Sequence, residues 1–269
     1  MILASRSQIK KARRVVVKVG SSVLMKKSGG FSPVVFKNLA RQIDALVRSG
    51  KEVVLVSSGA IAAGMQKLKI KKRPQLIRKK QALAALGQTA LMHEYEKVFG
   101  RLKRKVAQVL LTREDLDDRR RFLNARQAIS ELLRLKAVPI INENDTVAVE
   151  EIQVGDNDNL SALVTNLVEA DLLILLTDID GVYTADPWLN KTARRVPIIS
   201  NIDKTVHGFA GNTRAAKSTG GMITKLEAAE KAARFGVATV IAKGHGKNIL
   251  KSILDGKDCG TFVQPKGRK

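Results

Sequence analysis

Short apolar runs alternate with amphipathic stretches along most of this chain, and the runs are rich in the β-branched residues that favour strands. Strands are predicted over residues 14–19, 52–56, 106–111, 138–141, 172–177 and 238–242. Helices are predicted over residues 31–49, 77–99, 121–135, 159–169 and 222–235. Such alternation predicts an α/β fold: a three-layer αβα sandwich with a mostly parallel central sheet and helices on both faces.

No linker rich in Pro, Gly or Ser divides the chain, so residues 1–269 are predicted to form a single domain. Residues 180–211 lack periodicity and contain two X-Pro pairs, which predicts an irregular excursion near a functional site. The lone cysteine, Cys259, and the three scattered histidines argue against disulfides and structural zinc. No signal sequence or apolar run long enough to span a membrane is seen, so a cytoplasmic protein is expected.

The formal charge of +23 raises the possibility of nucleic-acid binding. Much of this charge lies in one basic stretch around Pro74, between Lys67 and Lys80, with no acid among its residues. Aromatic residues make up 4% of the chain, too few for the stacking platforms that read single strands. A solvated basic surface is therefore favoured over a nucleic-acid site.

Two polar segments, Asn142-Glu143-Asn144-Asp145 and Gly155-Asp156-Asn157-Asp158-Asn159, are the densest groups of acids and amides in the chain. The first follows a predicted buried strand, where ligands of α/β sheets collect. An EF-hand is excluded because its twelfth position is Leu167 rather than glutamate. Acids and amides together suit the α-ammonium and polar groups of an amino-acid substrate, although capped turns with solvated acids remain an alternative.

Three glycine-containing turns follow or precede regular elements, and each could admit a phosphate to backbone N–H groups. Lys18 lies inside the first strand, before Gly20-Ser21; a second turn runs from Ser57 to Gly64. The third, 219–225, brings glycines, hydroxyls and Lys225 to a predicted helix start, although it is not a Walker A loop. Each turn taken alone could be merely structural.

Lys18 and Lys225 could together provide the cations that phosphoryl transfer requires. A glycosidase-like pair of carboxylates is possible in principle, but the lysines and glycine turns have no role in that chemistry. Thr177-Asp178 follows another apolar strand, and Asp178 could either cap a turn or help hold a nucleotide.

Several motifs in order across nearly the whole chain resemble those of the glutamate 5-kinases of the amino acid kinase superfamily. These motifs are Lys-Val-Gly-Ser-Ser at 18–22, Ser-Ser-Gly-Ala-Ile-Ala-Ala-Gly at 57–64, Lys-Gln-Ala-Leu-Ala-Ala-Leu-Gly-Gln at 80–88, Asn-Glu-Asn-Asp at 142–145, Gly-Asp-Asn-Asp-Asn-Leu-Ser-Ala at 155–162, Thr-Asp-Ile-Asp-Gly-Val-Tyr at 177–183 and Gly-Gly-Met-Ile-Thr-Lys at 220–225. The resemblance implies transfer of a phosphoryl group from ATP, with Mg²⁺, to the γ-carboxylate of L-glutamate.

The resemblance also implies roles for particular residues. Lys18 and Lys225 would stabilise the transferring phosphoryl group, and Asp158 would orient both lysines. The implied glutamate-binding residues are Ser58, Asp145 and Asn157, with Asn142 nearby. The implied ATP-binding residues are Lys18, Gly20, Ser21, Thr177, Asp178, Thr219, Gly220, Gly221, Met222, Ile223, Thr224 and Lys225. No residue is assigned as a metal ligand.

The same resemblance implies the first step of proline biosynthesis, feedback inhibition by proline and a homo-oligomer, either dimer or tetramer. The sequence departs from the family in two ways. Lys217-Ser218 precedes Thr219, so a serine stands where the family has the glycine of its Gly-Thr pair. In addition, no region after the kinase part corresponds to the PUA domain of many relatives. Two alternatives stay open, a superfamily kinase with another acidic substrate and a weakly catalytic basic binding protein.

Overall fold

A computed structural model describes residues 3–26, 28–148, 157–211 and 221–266. The chain separates into two compact units. The middle unit is Val19–Asn157, and the terminal unit combines Met1–Lys18 with Asp158–Lys269. The prediction of a single domain stays a prediction. Within the described ranges, no helix has the length and apolar character needed to cross a membrane.

The middle unit contains three parallel strands in the order β3-β4-β2. Their bounds are β2 Glu52–Ser57, β3 Val106–Leu111 and β4 Val138–Glu143. Because the strands are parallel, Leu111 pairs with Glu143 at one edge, so the carboxyl end of β4 lies beside that of β3. β2 and β4 are almost wholly buried, as expected of parallel strands covered on both faces.

Six helices are described in the middle unit. They are α1 Ser21–Leu24, α2 Pro33–Arg48, α3 Ala60–Lys67, α4 Ile77–Gly100, α5 Arg113–Asp117 and α6 Arg119–Arg134. Helices α3 and α4 approach backbone to backbone: a Cβ added to Gly87 would lie 1.7 Å from the Ala60 carbonyl oxygen, and one added to Gly64 would lie 2.0 Å from that of Leu83. Two glycines therefore set the distance between these helices.

The terminal unit contains β1 Arg14–Val19, whose last residue belongs to the middle unit, and four further strands in the order β1-β5-β7-β8-β6. The bounds of these strands are β5 Leu172–Thr177, β6 Ile198–Ile199, β7 Ala238–Lys243 and β8 Thr261–Val263. β5 and β7 are parallel, whereas β8 runs antiparallel to β7. All six residues of β5 are buried, which makes it the centre of this unit's core.

Four helices are described in the terminal unit: α7 Asn157–Leu167, which starts at the last residue of the middle unit, α8 Lys204–Gly211, α9 Met222–Arg234 and α10 Ile249–Leu254. The small apolar residues of α9 are buried, including Ala228, Ala229 and Ala232. Helix α9 therefore packs closely, as its run of alanines permits.

All six predicted strands and all five predicted helices exist, with ends shifted by at most two residues. Helix α6 begins two residues earlier than predicted because the Asp118 side chain accepts a hydrogen bond from the Arg121 N–H and caps it. Residues 180–211 are mostly irregular, but the prediction was wrong for the short strand β6 and for the final eight residues, which form α8. Helix α3 was not predicted, because its small residues and internal glycine give no apolar periodicity.

Gly87→Ala is expected to lower the free energy of unfolding by about 3 kcal/mol, because the new methyl group meets the Ala60 carbonyl and α4 must move. Gly100→Ala, in the same helix with no atom near its Cβ position, is the control, and it should stabilise the chain by up to about 1 kcal/mol. Denaturant unfolding of both variants measures the difference. Equal stabilities would contradict a backbone contact between α3 and α4.

Candidate active site

A buried carboxylate lies between two buried lysines in the terminal unit. Lys18, on β1, places its Nζ 2.5 Å from Asp158 Oδ1, and Lys225, on α9, places its Nζ 3.1 Å from Asp158 Oδ2. Asp158 is fully buried, and the lysines are 4% and 5% exposed. The three residues are brought together from β1, the first turn of α7 and the first turn of α9. Two cations therefore share one anion away from solvent.

Burial by itself raises the pKa of Asp158, but the charges of Lys18 and Lys225 and hydrogen bonds from Lys18 and Thr224 outweigh it, and the pKa falls to about 2. Burial also lowers the pKa of Lys225, an effect that Asp158 opposes and Lys18 reinforces. Asp158 is therefore ionised at every physiological pH. Its negative charge favours the protonated form of Lys225 in a place where burial disfavours it.

The start of α9 surrounds the same carboxylate. Thr224 Oγ1 donates to Asp158 Oδ2 at 2.7 Å and also to the Gly221 carbonyl at 2.9 Å. Lys225 Nζ donates to that carbonyl at 3.3 Å, which ties the lysine back over its own helix start. Gly221 precedes Met222 and Ile223, and a helix of 13 residues presents first-turn N–H groups suited to an anion. Thr219 and Gly220 lie outside the described residues.

Thr177 and Asp178 follow β5 at the edge of this cluster. Thr177 is buried and its Oγ1 donates to Asp178 Oδ1 at 3.0 Å, whereas Asp178 itself is exposed. The negative charge of Asp178 acts on Lys225, where it favours the charged form. Both readings of Asp178, a turn cap and a nucleotide ligand, remain compatible with this position.

Gly20 and Ser21 lie in the middle unit, at the start of the four-residue helix α1. Gly20 is the N-cap residue and Ser21 the first helical residue, with no side-chain hydrogen bond at the cap. The neighbouring turn is adjacent, since the Ser58 N–H donates to the Val19 carbonyl at 3.2 Å. The turns after β1 and β2 are therefore adjacent.

A cluster of neutral amides occupies the carboxyl ends of β2 and β4 in the middle unit. Asn157 Nδ2 lies 2.7 Å from Asn142 Oδ1, 2.9 Å from Ser58 Oγ and 3.1 Å from the Ser57 carbonyl oxygen. Asn142 and Asn157 are both buried. Hydrogen bonding thus joins Asn157, at the described end of the second polar segment, to Asn142 in the first.

Asp145 lies two residues beyond β4 in a cleft of about 220 Å³, together with Glu143, Asn144, Gln88 and other residues of α4 and β3. Burial raises the pKa of Asp145 to about 6, and the charge of Arg73 opposes the rise. A carboxylate that is costly to ionise and opens onto a cleft is suited to a cationic ligand, whose charge would offset the desolvation.

A divalent metal ion would need side-chain ligands near the cluster of Lys18, Asp158 and Lys225. The described residues contain no group of three or more His, Cys, Asp or Glu side chains that could cage a metal ion. Mg²⁺ usually keeps several waters and binds through one or two carboxylates together with substrate phosphates. The exposed carboxylate of Asp178, beside the lysine cluster, fits that kind of partial ligation.

Sequence reasoning missed two residues of the middle-unit cluster. Gln88 accepts a hydrogen bond from Asn142 Nδ2 at 2.8 Å, and the buried Tyr95 hydroxyl bonds the Ser57 hydroxyl at 2.8 Å. Gln88 ends a motif that carried the family resemblance, which was the available signal. Tyr95 had no signal, since an aromatic residue on an apolar helix face predicts only core.

The model of the amino acid kinase family matches residues 13–243. The chain also resembles UMP kinase from Bacillus anthracis, with a TM-score of 0.63 and 15% identity over 94% of this chain and 96% of that one. The similarity shows a shared fold. The prediction of an α/β fold with a mostly parallel sheet flanked by helices is thereby confirmed.

Relatives with much higher identity carry one name. Glutamate 5-kinase from Geobacter metallireducens is 49% identical over 96% of this chain and 69% of its own length; the enzyme from Azoarcus sp. (strain BH72) is 51% identical over 96% and 70%. Glutamate 5-kinase from Carboxydothermus hydrogenoformans is 50% identical over 98% of this chain and 71% of its own. The chain belongs to the amino acid kinase family, and within it to the glutamate 5-kinases.

Asp158→Asn should lower the free energy of unfolding at pH 7 by about 3–5 kcal/mol, because it leaves two buried lysines without their shared anion. Lys225→Met should cost less, since Lys18 and Asp158 then remain as a one-to-one pair. Urea unfolding of the two variants measures the order. Equal losses would contradict the assignment of Asp158 as the shared counter-ion.

Acid adds a second measurement to this comparison. The pKa of Asp158 is depressed from 3.8 to about 2, so its stabilising contribution is present above pH 3.8 and disappears as the pH falls toward 2. The stability gap between the unsubstituted chain and Asp158→Asn should therefore narrow between pH 4 and pH 2. A gap that stays constant over that window would show that the ionised carboxylate is not its source.

Proposed function

We propose that this protein transfers the γ-phosphoryl group of ATP to the γ-carboxylate of L-glutamate, which forms L-glutamyl 5-phosphate and ADP. The observation that carries the proposal is the buried trio of Lys18, Asp158 and Lys225 in a chain about half identical to glutamate 5-kinases. A kinase needs cations around the migrating phosphoryl group, and this trio supplies two of them.

The two lysines stabilise negative charge on the phosphoryl group in the transition state. Because they are buried, their field is weakly screened, and two charges about 4 Å apart interact by roughly 4 kcal/mol at an effective dielectric near 20. Asp158 offsets their mutual repulsion before the phosphate arrives and fixes both ammonium groups. The two ammonium groups are thus in place before negative charge develops on the phosphoryl group, so they need not reorganise during the reaction.

The nucleophile requires no general base. The γ-carboxylate of glutamate is ionised at neutral pH, so an oxygen lone pair attacks phosphorus without loss of a proton. The bond from phosphorus to the β–γ bridging oxygen breaks, and ADP leaves. The protein's part is to orient the carboxylate and to stabilise charge.

Glutamate is held by the polar cluster of the middle unit. Asp145 and the Asn157 side-chain oxygen accept hydrogen bonds from the α-ammonium group, and Ser58 contributes a hydroxyl. Asn142 accepts a hydrogen bond from Asn157 and so lies next to these residues. This assignment is supported by the partly buried carboxylate of Asp145 at the cleft and by the buried side-chain oxygen of Asn157, for which the described residues supply no donor.

ATP is held by the start of α9 and by the turns that the family resemblance assigns to it. The assigned residues are Gly20, Ser21, Thr177, Asp178, Thr219, Gly220, Gly221, Met222, Ile223, Thr224, Lys18 and Lys225. First-turn N–H groups of α9 suit phosphate oxygens, and the side chains after β5 suit the nucleoside. When bound, Mg²⁺ would neutralise part of the phosphate charge. The phosphates of ATP would be its main ligands, and Asp178 could provide a carboxylate.

The same proposal extends to the physiology that the family resemblance implies. The reaction product is an activated acyl phosphate, consistent with the first step of proline biosynthesis in the cytoplasm. Feedback inhibition by proline and assembly into a dimer or tetramer are part of the proposal.

The test is incubation with ATP, Mg²⁺, L-glutamate and hydroxylamine, which traps the acyl phosphate as γ-glutamyl hydroxamate. We expect hydroxamate from glutamate and none from aspartate or N-acetylglutamate. Lys225→Ala should lower kcat by ~10²-fold or more with little change in the KM for glutamate, because the lysine acts on the transition state.

Lys204→Ala is the matched control for that variant, since Lys204 is an exposed lysine on α8 of the same unit. It should leave both constants unchanged. Hydroxamate from aspartate alone would reject the substrate assignment. Near-normal turnover of Lys225→Ala would reject the assigned transition-state role.

The pKa of Asp145, raised to about 6, predicts how glutamate use depends on pH. Below pH 6 the carboxyl group is protonated and loses its attraction for the α-ammonium, so kcat/KM for glutamate should fall about tenfold per pH unit. Asp145→Asn should lower kcat/KM at pH 8 by ~10–10²-fold and remove this fall. The profile of kcat/KM against pH measures both effects.

A stability measurement serves as the control for this variant. An acid whose pKa is raised on folding destabilises the folded chain once the pH exceeds its ordinary value, so Asp145→Asn should be more stable than the unsubstituted chain at pH 8 and lose that advantage toward pH 4. A variant that is less stable at pH 8 would contradict the assigned burial cost. An unchanged pH profile would contradict the binding role.

A further inference from the structure

Four carboxamide side chains form one hydrogen-bonded chain in the middle unit. Asn157 Nδ2 donates to Asn142 Oδ1 at 2.7 Å, Asn142 Nδ2 donates to Gln88 Oε1 at 2.8 Å, and Gln88 Nε2 donates to Gln108 Oε1 at 2.9 Å. The chain runs from the buried Asn157 to the exposed Gln108 on β3. Every amide donates in the same direction.

A backbone group fixes this direction. The Ser57 carbonyl oxygen, 3.1 Å from Asn157, can only accept a hydrogen bond, so the atom of Asn157 that faces it must be Nδ2. Asn142 must then turn its oxygen toward Asn157 and its nitrogen toward Gln88. Reversing any one amide would set two donors or two acceptors against each other.

The result of this arrangement is a buried acceptor without a partner. Asn157 Oδ1 is inaccessible to solvent and accepts no hydrogen bond from any part of the chain that the structure describes. Asn157 as a whole is 8% exposed. A buried carbonyl oxygen left in this state is unfavourable in the free protein and favours a ligand that brings an N–H donor.

Gln88 is well placed to hold the chain of amides in this state. Its neighbour Gly87 contacts the Ala60 backbone so closely that no methyl group fits, which fixes α4 against α3 at this turn. Asn142 is fixed on β4, so its Nδ2 reaches the acceptor that Gln88 presents. A residue at position 88 that could not accept would remove the constraint on Asn142.

We infer that Gln88 is a positioning residue for substrate recognition: through Asn142 it holds Asn157 with the side-chain oxygen toward the substrate, so that the site selects a ligand carrying an ammonium group. The inference rests on the proposed function, and adds a determinant of its specificity. Gln88 itself need not touch the substrate.

Three substitutions of Gln88 separate this role from simple packing. Gln88→Glu keeps an acceptor for Asn142 Nδ2 and should leave the KM for glutamate within about threefold of the unsubstituted value. Gln88→Leu removes the acceptor and should raise KM about tenfold, with kcat nearly unchanged. Gln88→Lys offers only donors, opposes the orientation of Asn142, and should raise KM further.

Glutarate provides the readout that a packing defect would not produce. It has both carboxylates of glutamate but no ammonium group, so its inhibition constant should stay within about twofold in Gln88→Leu while the KM for glutamate rises. Gln127→Leu is the control, because Gln127 is an exposed glutamine on α6 of the same unit.

A double-mutant cycle closes the test. If Gln88 acts through Asn157, Gln88→Leu should have little further effect on the KM for glutamate in an Asn157→Ala background. Additive effects, or equal losses for glutamate and glutarate, would overturn the inference while the proposed function stands. A chain without turnover on glutamate would reject the proposed function and this inference with it.

Discussion

The proposed phosphate-binding cluster of the terminal unit depends on one buried carboxylate. Asp158 is fully buried between Lys18 and Lys225, and its negative charge opposes the lowering of the Lys225 pKa that burial causes. The position of Asp158 at the start of α7 also lets the helix dipole favour its negative charge. A single side chain thus fixes the geometry of two cations that distant parts of the sequence contribute.

The two polar clusters differ in chemistry in a way that matches what each is proposed to bind. The terminal unit uses full charges, which suit a phosphoryl group whose charge shifts during reaction. The polar cluster of the middle unit uses mainly neutral amides, together with Asp145, a carboxylate whose ionisation burial opposes. Amides cost less to bury than charges and have a direction, so a chain of them can specify where a donor must sit without attracting every cation.

The sequence predicted the strands well because their burial leaves a local record. β1, β3 and β5 have the predicted bounds, since apolar and β-branched runs end where the chain leaves the interior. Helix α3 has no such local pattern, because its residues around Gly64 are small and fit a close contact with α4 that only the fold reveals. Local patterns therefore predicted the elements but not the contacts between them.

The candidate site residues also include some that the sequence predicted and some that only the fold reveals. Lys18 and Lys225 were proposed from their positions at element ends, and Asp158 through family resemblance. Nothing local shows that residues 67 positions apart, such as Asp158 and Lys225, form a hydrogen bond. Gln88 was missed because a glutamine on a helix has no chemical signature until its partners are known. It acts on the same pair of amides as the Ser57 carbonyl: Gln88 accepts from Asn142 and the carbonyl accepts from Asn157, at opposite ends of the pair. A backbone carbonyl, which every residue has, thus helps to determine which way a particular amide side chain is oriented. Only the fold shows which amide that is.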